Sequence, residues 1–495
     1  MLGAVAALRA GVTGGGERDG GREHGGEGER SLAQGATRPA GPVSSPYAVP
    51  NIRLFIVFRV LFNARFYYPV FTVLFLDYGL SLEQFAVLNT VWAVTIVLAE
   101  VPSGALADLL GRRLLLIATS LLMVAETALI AFVPLGNPQV IFWAFLGNRV
   151  LSGLAEAMAS GADEALAYDT LVAHGQAAAW PRVLEVQMRA QSVGYIFAMT
   201  IGAMVYDPDM VNRVLGWMAP GTAVTLQATM RYPLYLTLVF GLLALATTAR
   251  MREPRSGAGR FRSRTESAAL WEAPRLIVRA GRWILGTPLV LAVILFATVF
   301  DHTLRMLATL TSEYYRLVGL PEASFGLLGS AAAVIGLFIP RLARVMAERF
   351  SPGTNALLVG LVALTALLLL PLFIPYYGAL PMMLVFIGLT MTSYFTSHYL
   401  NALTDSQQRA TVLSFKGLVF NAAYGIIGLA YAGVIQLFRR SQAGVHPDWP
   451  PDLIADQAFK FVMGCFPPYL LAGLALVSLC CLPRLIRGRS RTRRG

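Results

Sequence analysis

From Asn51 onward the chain alternates long apolar runs with short polar breaks. Twelve of these runs come close to or exceed the ~20 residues a helix needs to cross a bilayer. They fall at about 53–76, 84–103, 113–134, 139–168, 183–206, 232–250, 287–314, 323–342, 354–376, 379–402, 411–437 and 458–482. A segment of this length in hydrocarbon must satisfy its own backbone N–H and C=O groups, which a helix does. Only 14% of the 495 residues are charged and 56% are hydrophobic, whereas a soluble domain carries about a quarter charged residues. The expected fold is all-α and integral to the membrane, with twelve transmembrane helices.

The longest polar interruption, 251–286, carries Arg252, Arg255, Arg260, Arg262, Arg264, Arg275, Arg279 and Arg282. It divides the spans six and six. The chain is read as a bundle over 51–250, a linker over 251–286, a second bundle over 287–485 and a basic tail over 486–495. Residues 1–50 are rich in Gly, Arg, Glu and Ser, and Gly14 to Arg30 holds almost no apolar side chain. Such a segment cannot bury a core and is expected to be disordered.

Positive charge collects in cytoplasmic loops. With the first helix running outward, Arg112, Arg113, Arg182, the linker arginines, Arg341, Arg344, Arg349, Arg409 and the tail arginines all share one side. Both termini are therefore expected in the cytoplasm, and the protein in the cell membrane as a monomer. The net charge of +12 is almost wholly arginine, since Lys416 and Lys460 are the only lysines. The arginines lack interleaved aromatics and any nucleic-acid motif, so they read as topology determinants and contacts to membrane lipids. Cys465, Cys480 and Cys481 share the last apolar run. They show no metal spacing, and neither metal nor cofactor is expected. No His-Glu-x-x-His, phosphate loop or nucleophile elbow in a plausible setting suggests an enzyme.

Between the second and third spans lies Gly104-Ala-Leu-Ala-Asp108-Leu-Leu-Gly111-Arg112-Arg113. The two glycines allow a sharp turn and close helix approach. Asp108 at the membrane face needs a cation or a helix N-terminus. These residues resemble the signature loop of the major facilitator superfamily, Gly-x-Leu-Ala-Asp-Arg-x-Gly-Arg-Arg/Lys. The match covers Gly104, Leu106, Ala107, Asp108, Gly111, Arg112 and Arg113, and departs at Leu109, where the family usually has arginine. The fourth span contains Arg149-Val-Leu-Ser152-Gly153-Leu-Ala155-Glu156-Ala157. It is similar to the family's Arg-x-x-Gln-Gly-x-Gly-x-Ala, with Ser152 and Ala155 replacing Gln and Gly. The Gly-Pro-x-x-Gly-Gly motif of many drug–proton antiporters is missing from the fifth span. The resemblance covers about 51–485. It implies two six-helix halves around a midplane path, a latch pairing Asp169 with Arg112, and proton coupling at Arg149. Asp108 is expected against the start of the eleventh helix, near Arg409–Thr411.

Charge inside the spans is costly and therefore functional or paired. Arg65, about halfway along the first helix, reads either as a site cation or as half of a structural pair with Glu100 on the second. Glu156 is the nearest candidate proton carrier to Arg149, and the two equally read as a stabilising ion pair. Asp163 and Glu164 are deeper candidates for a cavity. Asp301 and Arg305 stand at i,i+4 and can pair on one face. His398 and Asn401 give the tenth span a polar side. The expected function is secondary transport of a small molecule by alternating access, with proton-driven efflux first and uptake or facilitated diffusion second. A reading of another class is a non-transporting sensor or scaffold, which has little need of buried charge.

Overall fold

The computed structural model describes residues 45–160, 162–218, 221–253, 281–404 and 406–492. Most of the tail expected over 1–50 and of the linker expected over 251–286 lies outside them. The first span is two helices, α1 (Pro50–Asn63) and α2 (Phe71–Asp77). Pro69 explains the break: it has no N–H to donate, and its ring would clash with the Arg65 carbonyl. The second and third spans are α3 (Leu82–Leu110) and α4 (Arg112–Ala131). The fourth divides after Ala159 into α5 (Pro138–Ala159) and α6 (Ala162–Ala173). The fifth is α7 (Trp180–Tyr206), followed by a surface helix, α8 (Pro208–Met218). The sixth is α9 (Tyr232–Arg250).

After the linker the pattern repeats. The seventh span is α10 (Pro288–Thr309) and α11 (Thr311–Leu317). Next come α12 (Glu322–Arg349), α13 (Pro352–Leu369), α14 (Ala379–Leu403), α15 (Ser406–Val445) and α16 (Pro451–Thr492). Thr72 and Ser312, which touch, are 240 residues apart. The same offset relates α2 to α11, Gly79 to Gly319, and Arg65 to Arg305. The two halves are copies of one plan.

Among the described residues, ten helices are long and apolar enough to cross a membrane by length and composition alone. Twelve spans were expected. The two not counted are α5, which carries Arg149 and Glu156, and α7, which carries Arg182, Glu185 and Arg189. Both are long and pack inside the first bundle, α5 against α3 and α4, and α7 against α1. In the second bundle α10 packs on α14, α15 and α16.

Two helix pairs join the halves, α3 with α15 and α7 with α12. In the second pair, Gly326 meets the backbone of α7. A Cβ there would lie 2.1 Å from the Met199 carbonyl oxygen, so only glycine permits this approach. The closeness belongs to the end of the bundle away from the Arg112 loop. Toward the loop end, Met188, Val193, Leu337 and Phe338 are each more than half exposed.

Candidate functional site

The loop between α3 and α4 is held by charge at several points. Gly111 turns it with φ +90°, a conformation that disfavours any side chain. Arg112 forms an ion pair with Asp169 of α6. Glu253, just past α9, accepts the backbone N–H groups of Arg112 and Arg113 at 3.2 and 2.8 Å. It thereby caps the start of α4, where unpaired N–H groups favour a carboxylate. Arg113 Nη2 donates to the Ala249 carbonyl at 2.9 Å. Gly104 lies inside α3, four residues before Asp108. The expected contact of Asp108 with the start of α15 falls on side chains outside the described residues.

In the middle of the first half, Arg65 pairs with Glu126 of α4, and both are buried. This corrects the expected pairing with Glu100. Breaking the helix at Ala64–Pro69 turns Arg65 toward α4, whereas Glu100 faces Gly417 of α15 across the junction between halves. Asn148 Nδ2 donates to the Glu126 carbonyl oxygen at 2.9 Å. Its Oδ1 accepts from Arg149 Nε and Nη2 at 2.9 and 2.6 Å. The Arg149 guanidinium also lies 5.3 Å from the ring centres of Phe71 and Phe75, a cation–π arrangement. Arg149 is thus buried without a carboxylate partner, and makes no ion pair with Glu156.

Arg59 reaches Asp163 at 3.0 Å and Glu164 at 3.5 Å. Glu156 has no ion pair or hydrogen bond among the described residues. Its side chain is exposed, yet the charges acting on it are Arg65, Glu126, Arg59 and Asp163, from three other helices. Glu156 therefore combines an exposed side chain with neighbouring charges from the inside of the bundle. Tyr68, half-exposed at the α1 break, senses the same carboxylate.

In the second half Arg305 pairs with Asp301 at i,i+4 and donates Nη1 to Asn421 Oδ1 at 2.9 Å. Its guanidinium lies 5.1 Å from the Tyr424 ring centre. Tyr424 shares a 2.9 Å hydrogen bond with Thr309. His302 is buried and contacts the Tyr469 hydroxyl at 2.7 Å. His398 is exposed and stacked on Tyr394, and Asn401 donates to Ser397 Oγ. These two lie in the last two turns of α14, at the loop end, rather than beside Asp301.

The far end is closed by contacts between halves that the sequence reading missed. Arg316 of α11 grips Asp77 of α2 with both Nη atoms, at 2.8 and 2.7 Å. Tyr206 donates to the same carboxylate, and Arg316 Nε reaches Glu322 at 3.1 Å. Ser312 Oγ accepts from Thr72 N at 2.9 Å, Asp207 accepts from Ala323 N at 3.0 Å, and Arg439 meets Glu83 at 3.0 Å. The available signals were the 240-residue repeat and a lone acid, Asp77, ending the first span. The far end is thus closed in this structure, while the Glu156 and Tyr68 side chains, nearer the loop end, are exposed. That arrangement holds one state of a two-state carrier.

Three solved structures share this architecture. A bacterial homologue of the human lysosomal transporter Spinster, inward-facing and occupied, aligns with TM-score 0.62 at 14% identity over 88% of this chain and 97% of its own. A D-xylose–proton symporter gives TM-score 0.59 at 14% identity, covering 86% and 97%. The nucleoside transporter NupG gives 0.55 at 13%, covering 86% and 98%. At such identities the likeness is one of fold. No curated protein matches the chain in sequence. Residues 54–429 match the Major Facilitator Superfamily. With its helical membrane architecture and its loop of Asp108, Arg112 and Arg113, the chain belongs to that superfamily of membrane transporters.

Proposed function

We propose that this protein exports a small molecule across the cell membrane in exchange for protons, working as a monomer with both termini in the cytoplasm. The observation that carries the proposal is Glu156, an exposed carboxylate with no ion pair among the described residues, set close to the buried charges of the first half. A group that takes up and releases a proton must meet water in each state and lack a permanent partner. A proton and a cationic part of the solute then compete for one site, which makes the process an exchange. Arg149 and the Arg65–Glu126 pair set the field around Glu156, and Arg59 with Asp163 and Glu164 lines the approach from the loop end. Arg112 pairs with Asp169 within the first half and holds the loop that carries Asp108, the residue proposed to latch the loop end in the other state.

Reconstituted flux tests this. Glu156→Gln is expected to lower transport driven by a pH gradient at least about tenfold, while solute–solute exchange, which need not release the proton, stays largely intact. An unchanged pH dependence would move the proton role to Asp163, Glu164 or Asp301, or remove it. Uptake by symport differs in sign: an inward proton gradient would then accelerate solute entry instead of exit. A sensor or scaffold would show no flux at all.

Orientation is tested separately. In a background freed of native cysteines, Gln139→Cys should label from outside intact cells and Arg250→Cys only after permeabilisation. Labelling of position 250 from outside would overturn the helix orientation.

A further inference from the structure

Among the described residues, besides Arg149, which Asn148 holds, and Glu100, which faces Gly417, two opposite charges toward the loop end make no ion pair, one on each half. Glu156 of α5 is the first. Lys416 of α15 is the second: its ammonium lies 5.4 Å from the Phe420 ring centre, and it senses Asp301, Arg305 and Glu100 without bridging to any of them. Asp301 is already occupied by Arg305.

Their depths agree. Thr90 of α3 donates to the Gly425 carbonyl of α15 at 3.1 Å, beside Tyr424, and Gly153 of α5 packs against Trp92 and Thr95 of α3, so the two halves meet at this level and form a floor. Glu156 lies seven residues beyond Arg149 along α5, about 10 Å toward the loop end at a rise of ~1.5 Å per residue. Lys416 lies eight residues before Tyr424 on α15, which starts at the loop end, so it stands about 12 Å from the floor in the same direction. An anionic and a cationic wall thus stand at one depth on opposite halves.

We propose that these walls select a dipolar solute, with a protonated amine on Glu156 and a carboxylate or similar anion on Lys416. This rests on the exchange reading and names its substrate class. A singly charged solute would leave one wall charge unanswered when the halves close and water leaves, which opposes closure. A dipolar solute answers both and bridges the moving halves, so its binding favours the closed state over the open one. Tyr68 beside Glu156 and Asn421 beside Arg305 add neutral donors and acceptors for the middle of the solute.

A ruler of ω-aminoalkanoates, from glycine to aminododecanoate, tests the idea on purified full-length protein by thermal shift and titration calorimetry. Alkylamines and alkanoates of matching length are the controls. Some window of chain length is expected to bind at least about tenfold tighter than either control. Lys416→Gln should erase the preference over the amine, and Glu156→Gln the preference over the alkanoate. The exchange Glu156→Lys with Lys416→Glu should restore preference for the dipolar solute with its ends reversed. Amines binding the unmodified protein as tightly as aminoalkanoates would overturn the proposal, as would no binding of any aminoalkanoate. The exchange reading fails by a different result: a solute that binds but is not driven by a pH gradient in liposomes.

Discussion

Glu126→Leu is expected to destabilise the protein by about 3–5 kcal/mol, the usual consequence of removing one partner from a buried ion pair. The loss arises from what remains rather than what is removed. Arg65 is 4% exposed and Glu126 fully buried, so an unpaired guanidinium would be left in a dry interior. Arg65 has one further acceptor, the Phe62 carbonyl at 3.2 Å, which cannot replace a carboxylate. Asn148 would keep its bond to the residue 126 backbone, so Arg149 should stay in position. The measurement is thermal unfolding in detergent, alongside the yield of folded protein. The double substitution Arg65→Met with Glu126→Met should recover most of the stability, because no charge is then buried. It should not recover transport if the field of this pair serves Glu156. A Glu126→Leu protein as stable as the unmodified one would show that Arg65 is hydrated from the cavity and that the pair is not structural.

Glu126 also shows where the sequence stops being legible. The apolar spans and the superfamily loop could be read because apolar length and fixed spacing are local properties. The break near Pro69 could be read because proline removes a donor wherever it stands. The pairing of Arg112 with Asp169 followed from the resemblance. The partner of Arg65 did not follow, because it depends on how each helix is rotated about its axis. A soluble helix declares its rotation by an apolar stripe. Here lipid and protein interior are alike apolar, and Leu and Ala cover every face, so nothing local pointed from Arg65 to Glu126 rather than to Glu100. The far-end contacts were hidden for another reason. Asp77, Glu83, Glu322 and Arg439 stand at span ends, where charge is ordinary. Only superposing the two halves brings Asp77 next to Arg316. Lys416 was visible as one of two lysines, yet its depth depends on how far α15 slides along α3.

Arg316→Ala should open the far end. Its two bonds to Asp77 join the two halves and exist only while that end is closed, whereas its bond to Glu322 lies within the second half. The group is partly shielded, with 28% of the Arg316 side chain and 13% of Asp77 exposed. Close charge pairs across an interface couple by about 1.5–7 kcal/mol. Even about 2 kcal/mol changes the ratio of far-closed to far-open states about thirtyfold. The protein should remain folded, since Tyr206 still donates to Asp77 within the first half and the apolar packing of Tyr314 and Tyr315 is untouched. Spin labels at Asp209 and Tyr377, exposed on opposite halves at the far end, should report a longer distance in Arg316→Ala. Arg316→Lys keeps the charge but loses the two-pronged geometry, so it should fall between the two. Transport should slow in Arg316→Ala, because a cycle that lingers in one state turns over less often. If the label distances and the transport rate both match the unmodified protein, the contact between Asp77 and Arg316 is incidental, and closure rests on the packing of α7 against α12 and the Thr72–Ser312 seam.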